Sequence, residues 1–183
     1  MNDDPLEGFH DLPIEQQEEV RAQTEVVGAA WEFLTPFYGG DLAAAWLRVH
    51  PSLQLCWSQW WAHANETPMA QAGLVAKDVA QNVATAGPEA EEWTGFARVI
   101  LRDFRQAWPL DPDVAGIGAA PRVIAPDIEL LMVHPEAPEG NVWQPGHAAE
   151  VMPLVMAFDA GVGWRVLNFA SDLMPEPGWP PRM

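Results

Sequence analysis

Hydrophobic and polar positions change their period once along the 183 residues. Up to Trp108 the apolar side chains recur every three to four positions, and beyond Gly118 they recur every second one, which reads as helices followed by strands. The first block predicts five helices. One runs from Ile14 to Phe37, with Val20, Thr24, Val27, Ala30, Trp31, Leu34 and Phe37 on a shared face, and Gly39-Gly40 ends it. Asp41 offers an N-cap for a short helix from Leu42 to Val49, with Leu42, Ala45, Trp46 and Val49 inward. Ser52 could cap a third helix to about Ala64, striped by Leu53, Trp57, Trp60, Trp61 and Ala64, and Asn65-Glu66-Thr67-Pro68 breaks it. A fourth spans Met69 to Ala84, with Leu74, Val75, Val79 and Val83 inward. The fifth, Glu89 to Trp108, buries Trp93, Phe96, Val99, Ile100, Phe104 and Trp108. Its acidic first turn and basic last turn match the helix dipole.

Pro109 to Gly118 reads as a loop rich in proline, aspartate and glycine. Strands are then expected over Arg122–Ala125 and Asp127–His134, the latter with Ile128, Leu130 and Met132 on one face and Glu129, Leu131 and Val133 on the other. Pro135 to Gly146 is a long polar connection. Val151 to Phe169 is an apolar run, a glycine-containing break over Asp159–Gly163, and a second apolar run, which together read as a hairpin. The first of these runs is apolar on both faces, so both faces are covered or the strand curls around a cavity. Strict alternation in the second places Asn168 with Trp164 and Val166, and Arg165 with Leu167 and Phe169. The fold class is therefore α+β: N-terminal helices packed on one face of a small, curved, cone-like antiparallel sheet. Residues 1–13 read as a disordered acidic tail, 14–173 as a single domain, and 174–183 as a Pro-rich tail without regular structure.

Composition narrows the function classes. With 26 acids against 9 bases the formal net charge is −17, which repels phosphate backbones and anionic lipid. No nucleic-acid or membrane partner is expected. No apolar run approaches the ~18 residues a membrane helix needs, and no basic segment followed by an apolar one opens the chain. The single Cys56 excludes an internal disulfide. The location expected from these features is the cytoplasm. Ten tryptophans are many for this length, and each is a large plate that must be packed or used.

Helices followed by a sheet ending in Pro153–Phe158 and Gly163-Trp164-Arg165-Val166, with the upstream strand Asp127–Val133, resemble the nuclear transport factor 2-like (SnoaL-like) cone fold. The resemblance covers about Ile14 to Ser171. The chain departs from the family in having more helices before the strands and no clear helix between them. The resemblance implies a conical pocket between sheet and helices and often a homodimer through the sheet. Some members are isomerases, dehydratases or hydrolases; many others bind ligands or partners without catalysis, and fold alone does not choose.

Candidate chemistry is sparse. No phosphate-cradling glycine motif, nucleophile elbow or zinc-protease helix is present. His63 with Glu66 and His147 with Glu150 are spaced i, i+3, but a metal needs three or four ligands, so no metal site and no cofactor are assigned. Asp127 and Glu129 share a strand face. Inside an apolar cone their pKa would rise and either could act as a general base, whereas at a solvated sheet edge they are surface charges. His50 and Asn168 are the polar partners such a base would use. Trp46, Trp57, Trp60 and Trp61 form an aromatic wall that either packs the core or faces a flat apolar ligand, and Trp60 and Trp61 diverge by about 100° around their helix. Trp164 and Asn168 complete the candidate ligand-binding set. The expected function is an apolar small-molecule or protein-binding domain without catalysis. The alternatives are an isomerase- or hydrolase-like enzyme built on Asp127, Glu129 and His50, and an acidic protein-interaction module.

Overall fold

The computed structural model describes residues 13–118, 121–135 and 151–181. The acidic segment before Pro13, most of the polar connection after Pro135, and His147 with Glu150 lie outside the described residues. Within them, six helices precede an open antiparallel sheet of five strands, an α+β arrangement.

Helix α1 spans Ile14–Gly39. Its buried stripe is Val26, Ala30, Phe33 and Phe37, flanked by Ala29 and Leu34. Ala30, Leu34 and Phe37 are inward as expected, whereas Val27 and Trp31 are only half-buried; Val20 is exposed because the helix meets the rest of the fold from Val26 onward. Gly40 ends it in the left-handed region at φ 91°, and the Asp41 N–H donates back to the Pro36 carbonyl at 2.8 Å. Asp41 Oδ1 then caps α2 (Leu42–Trp46) by accepting from Ala44 N at 3.0 Å.

Helix α2 stops three residues earlier than the periodicity implies. Val49 is instead drawn into a parallel bridge with Val166: Val166 N donates to Arg48 O at 2.7 Å, and His50 N donates to Val166 O at 2.8 Å. Helix α3 (Pro51–Ala64) consequently starts at Pro51. Its N-cap is His50 rather than Ser52, with His50 Nδ1 accepting from Ser52 N at 3.2 Å.

The expected fourth helix is two. Helix α4 is Glu66–Gln71 and α5 is Ala76–Ala86, separated where Gly73 takes a φ of 78°. Pro68 stands in the first turn of α4, where no N–H is needed, so it does not prevent that helix. Leu74 and Val75 fall in the break and are exposed, while Val79 and Val83 are buried. A 3₁₀ turn over Gly87–Glu89 leads to α6 (Trp93–Ala107). At Gly87 the backbone has φ 54°, and an added Cβ would lie 3.0 Å from the Trp46 indole, so only glycine lets the chain pass that ring.

Strand β1 (Gly116–Ile117) arises inside the stretch expected to be loop, because β3 offers it a partner. Strands β2 (Arg122–Ala125), β3 (Ile128–His134), β4 (Met152–Asp159) and β5 (Gly163–Phe169) follow. The sheet order is β1-β3-β4-β5, with β2 also on β3. Register gives the helix-facing rows: Glu129 opposite Met156 opposite Val166, and Leu131 opposite Leu154 opposite Phe169. A bulge in β5 lies between the pairs Val155–Asn168 and Met156–Val166. The extra residue shifts the alternation, so Phe169 turns to the helices and Asn168 away from the row of Val166, the reverse of the strict-alternation reading.

Phe33, Phe37, Trp57, Phe104 and Phe169 fill the space between helices and sheet, with Phe169 ring centroids 5.4 Å from Phe33, 5.2 Å from Phe37 and 5.4 Å from Phe104. On the other face of the sheet Leu130, Val155, Ala157 and Leu167 form a second, smaller buried cluster. Strand β4 is thus apolar on both faces because both are covered.

Candidate functional site

Helix α3 carries Leu53, Trp57 and Trp61 at a spacing of four, and all three are buried. Trp60 lies about 100° from Trp61 around the helix axis and is half-buried. It therefore stands at the rim of the core rather than inside it. Two clefts open on either side of it, and both are lined by Trp57 and Trp60.

The larger, about 530 Å³, lies between α3 and the Pro-rich C-terminal segment. That segment follows α3: Gly178 N donates to Gln59 Oε1 at 2.9 Å, and the Trp179 ring meets the His63 ring edge-on at 5.6 Å. Asn168 and Cys56 are in its wall. Asn168 Nδ2 donates to Leu173 O at 2.5 Å, and its Oδ1 accepts from Phe169 N at 2.8 Å, so its amide ties β5 to the strap. Burial raises the Cys56 pKa, so its thiol is kept from ionising.

The smaller cleft, about 320 Å³, lies between α3 and α6 and is lined by Trp57, Trp60, Asp103, Phe104, Ala107 and Trp108. Trp57 and Phe104 form its floor, with ring centroids 5.0 Å apart. Trp108 is anchored from below, where the buried Tyr38 hydroxyl donates to the Trp108 carbonyl at 2.7 Å. Burial pushes the Tyr38 pKa up to about 12, against a smaller opposing pull from Arg105, so the hydroxyl stays a donor. Among the described residues, Asp103 is the sole charged side chain in the lining, and its Oδ1 accepts from Arg102 Nε at 2.6 Å.

The other expected site residues are elsewhere. Trp46 is core, edge-on to Trp93 at 5.1 Å and to Phe96 at 5.4 Å. Trp61 is core against Phe96 at 5.7 Å, and neither residue lines the two clefts. Trp164 packs on Phe158 at 5.4 Å, at the hairpin end of the sheet. Asp127 is exposed in the β2–β3 turn at φ 60°, its carbonyl accepting from Phe158 N. Neither Asp127 nor Glu129 lines either cleft. Glu129 is half-buried on the helix-facing row, and desolvation raises its pKa.

His50 belongs to a different place. Alternation about the buried Val49 puts it on the side of Arg165 and Asp159. Burial lowers its pKa first, Arg165 lowers it further, and Asp159 opposes them. Arg165 Nε is itself buried, with no hydrogen-bond partner among the described residues. From Glu129 the row runs through Met156 and Val166 to Val49, three inter-strand steps or roughly 14 Å. Glu129 and His50 thus stand on opposite faces of the sheet, about three inter-strand steps apart. His63 Nδ1 pairs with Glu66 Oε2 at 3.5 Å, and among the described residues no three potential ligands gather for a metal.

Sequence reasoning singled out Trp57, Trp60 and Asn168 but missed Asp103, Phe104, Trp108 and the C-terminal strap as one site with them. The available signal was Trp179, a large apolar ring in a segment that a solvated tail would not need. No helix of the described residues is long and apolar enough to cross a membrane. No family model, curated protein or solved structure matches the chain.

Proposed function

We propose that this protein is a binding domain without catalysis, taking an apolar small molecule against Trp57 and Trp60. The observation that carries the reading is Trp60: a large aromatic plate held half-out of a filled core, with a cleft on each side of it. Indole and phenyl rings bring much contact area for little conformational entropy, and few polar groups are needed to orient a ligand among them. Membership of the nuclear transport factor 2-like group, supported by helices that precede an open antiparallel sheet, belongs to the same proposal, as do a cytoplasmic location and a homodimer. The ligand position differs from the one that group implies. Phe33, Phe37 and Phe169 occupy the space between helices and sheet, and the clefts lie beside α3.

Thermal unfolding with indole as the probe tests the reading. A ligand that binds the folded state stabilises it by about 2.7 kcal/mol at a hundredfold excess over Kd. The wild-type melting temperature is expected to rise with millimolar indole, and that of a folded Trp60→Ala variant is not. No rise for the wild type, or an equal rise for the variant, overturns the reading.

A further inference from the structure

Resting on that binding reading, we infer that the cleft between α3 and α6 recognises a small quaternary ammonium compound, with choline as the simplest form. Four aromatic rings, Trp57 and Trp60 of α3 with Phe104 of α6 and Trp108 just past its end, line an open cleft of about 320 Å³. Their faces present negative π-density, and tryptophan attracts a cation more strongly than the other rings. A trimethylammonium group suits such a lining because its methyl groups are apolar to the touch while its charge is spread over them. Asp103 adds a carboxylate at the rim of the same cleft.

Charge complementarity extends beyond the cleft. The chain carries a net charge of −17, so its field draws small cations toward any open site and repels small anions. No arginine of α6 lines the cleft. At 100° per residue, Arg98, Arg102 and Arg105 fall on one side of the helix and Asp103, Phe104 and Ala107 on the other. The three arginines line a separate surface hollow beside Gly40. Arg102 alone reaches over to Asp103 Oδ1, through Nε at 2.6 Å. A neutral apolar ligand would use the rings alone, whereas a quaternary cation also gains from the carboxylate at the rim, which Arg102 holds by its Oδ1.

Titration calorimetry on the full chain with choline and with its neutral isostere, 3,3-dimethylbutan-1-ol, tests this. Choline is expected to bind the wild type about tenfold more tightly, equivalent to about 1.4 kcal/mol. Asp103→Asn and Trp60→Leu, each checked for a wild-type circular dichroism spectrum, are expected to bring the two affinities within about threefold. If the neutral isostere binds as tightly as choline, the inference is overturned while the apolar cleft stands. If neither binds, both fall. Co-sedimentation with phosphatidylcholine vesicles without binding of free choline would move the source of the group to a lipid and overturn the small-molecule assignment.

Discussion

Truncating Phe169 should be among the most damaging single changes to this fold, and its size tests the β5 bulge. Without the bulge, alternation would turn Phe169 away from the helices, on the side of Arg165. With it, the ring is 2% exposed and has five aromatic neighbours: Phe33, Phe37, Tyr38, Trp57 and Phe104, at centroid distances from 5.2 to 6.5 Å. Lost burial of a phenyl side chain amounts to about 2–3 kcal/mol. The cavity left among rings held by helices and sheet adds to it, which brings Phe169→Ala to about 3–5 kcal/mol. Phe169→Leu keeps most of the volume and loses the ring geometry, for about 1–1.5 kcal/mol. Phe158, 43% exposed and touching Trp164, is the control, and Phe158→Ala should cost about 1 kcal/mol. Urea unfolding followed by circular dichroism measures all three, provided the slope with denaturant is unchanged. A cost below about 1.5 kcal/mol for Phe169→Ala, or a Phe158→Ala cost that equals it, would refute the placement of that ring.

Two further outcomes follow from local geometry. Gly87→Ala forces a side chain into a positive-φ position and to within 3.0 Å of the Trp46 ring, so it should cost roughly 2–4 kcal/mol by urea unfolding; a neutral result would show that the turn relaxes freely. His50 accepts from Ser52 N only when its Nδ1 is unprotonated, and burial lowers its pKa in the folded state. The unfolded chain therefore binds the proton first, so the stability contributed by His50 is full above its unfolded pKa of about 6.5 and declines as pH falls below it. His50→Asn, which keeps an N-cap acceptor, should flatten the pH 7.5-to-5.5 change in urea midpoint, and an unchanged slope would show that His50 does not drive it.

Much of the architecture was legible because period is a local signal. The switch from near-four to two placed helices before strands, and the two-faced apolar run of β4 announced a strand either covered on both faces or curled around a cavity. What was not legible depends on partners distant in sequence. Val49 leaves its helix because Val166 offers a bridge, and β1 exists because β3 has a free edge. The β5 bulge reverses the faces of Asn168 and Phe169, and no period inside β5 reports it. The same limit explains the site. The stripe on α3 identified Trp57 and Trp60, and the 100° divergence of Trp60 from Trp61 marked one of the pair as peripheral. Asp103, Phe104 and Trp108 join them only through the packing of α3 against α6, which neither helix encodes alone.

The most direct measurement of where a ligand sits is the set of nuclear Overhauser contacts between the tert-butyl protons of bound 3,3-dimethylbutan-1-ol and assigned indole protons. Contacts to Trp57, Trp60 and Trp108, with none to Trp46, Trp61 or Trp164, are expected if the cleft between α3 and α6 is the binding site. Contacts to Trp46 or Trp61, whose rings are sealed in the core, or to Trp164 at the far end of the sheet, would contradict it.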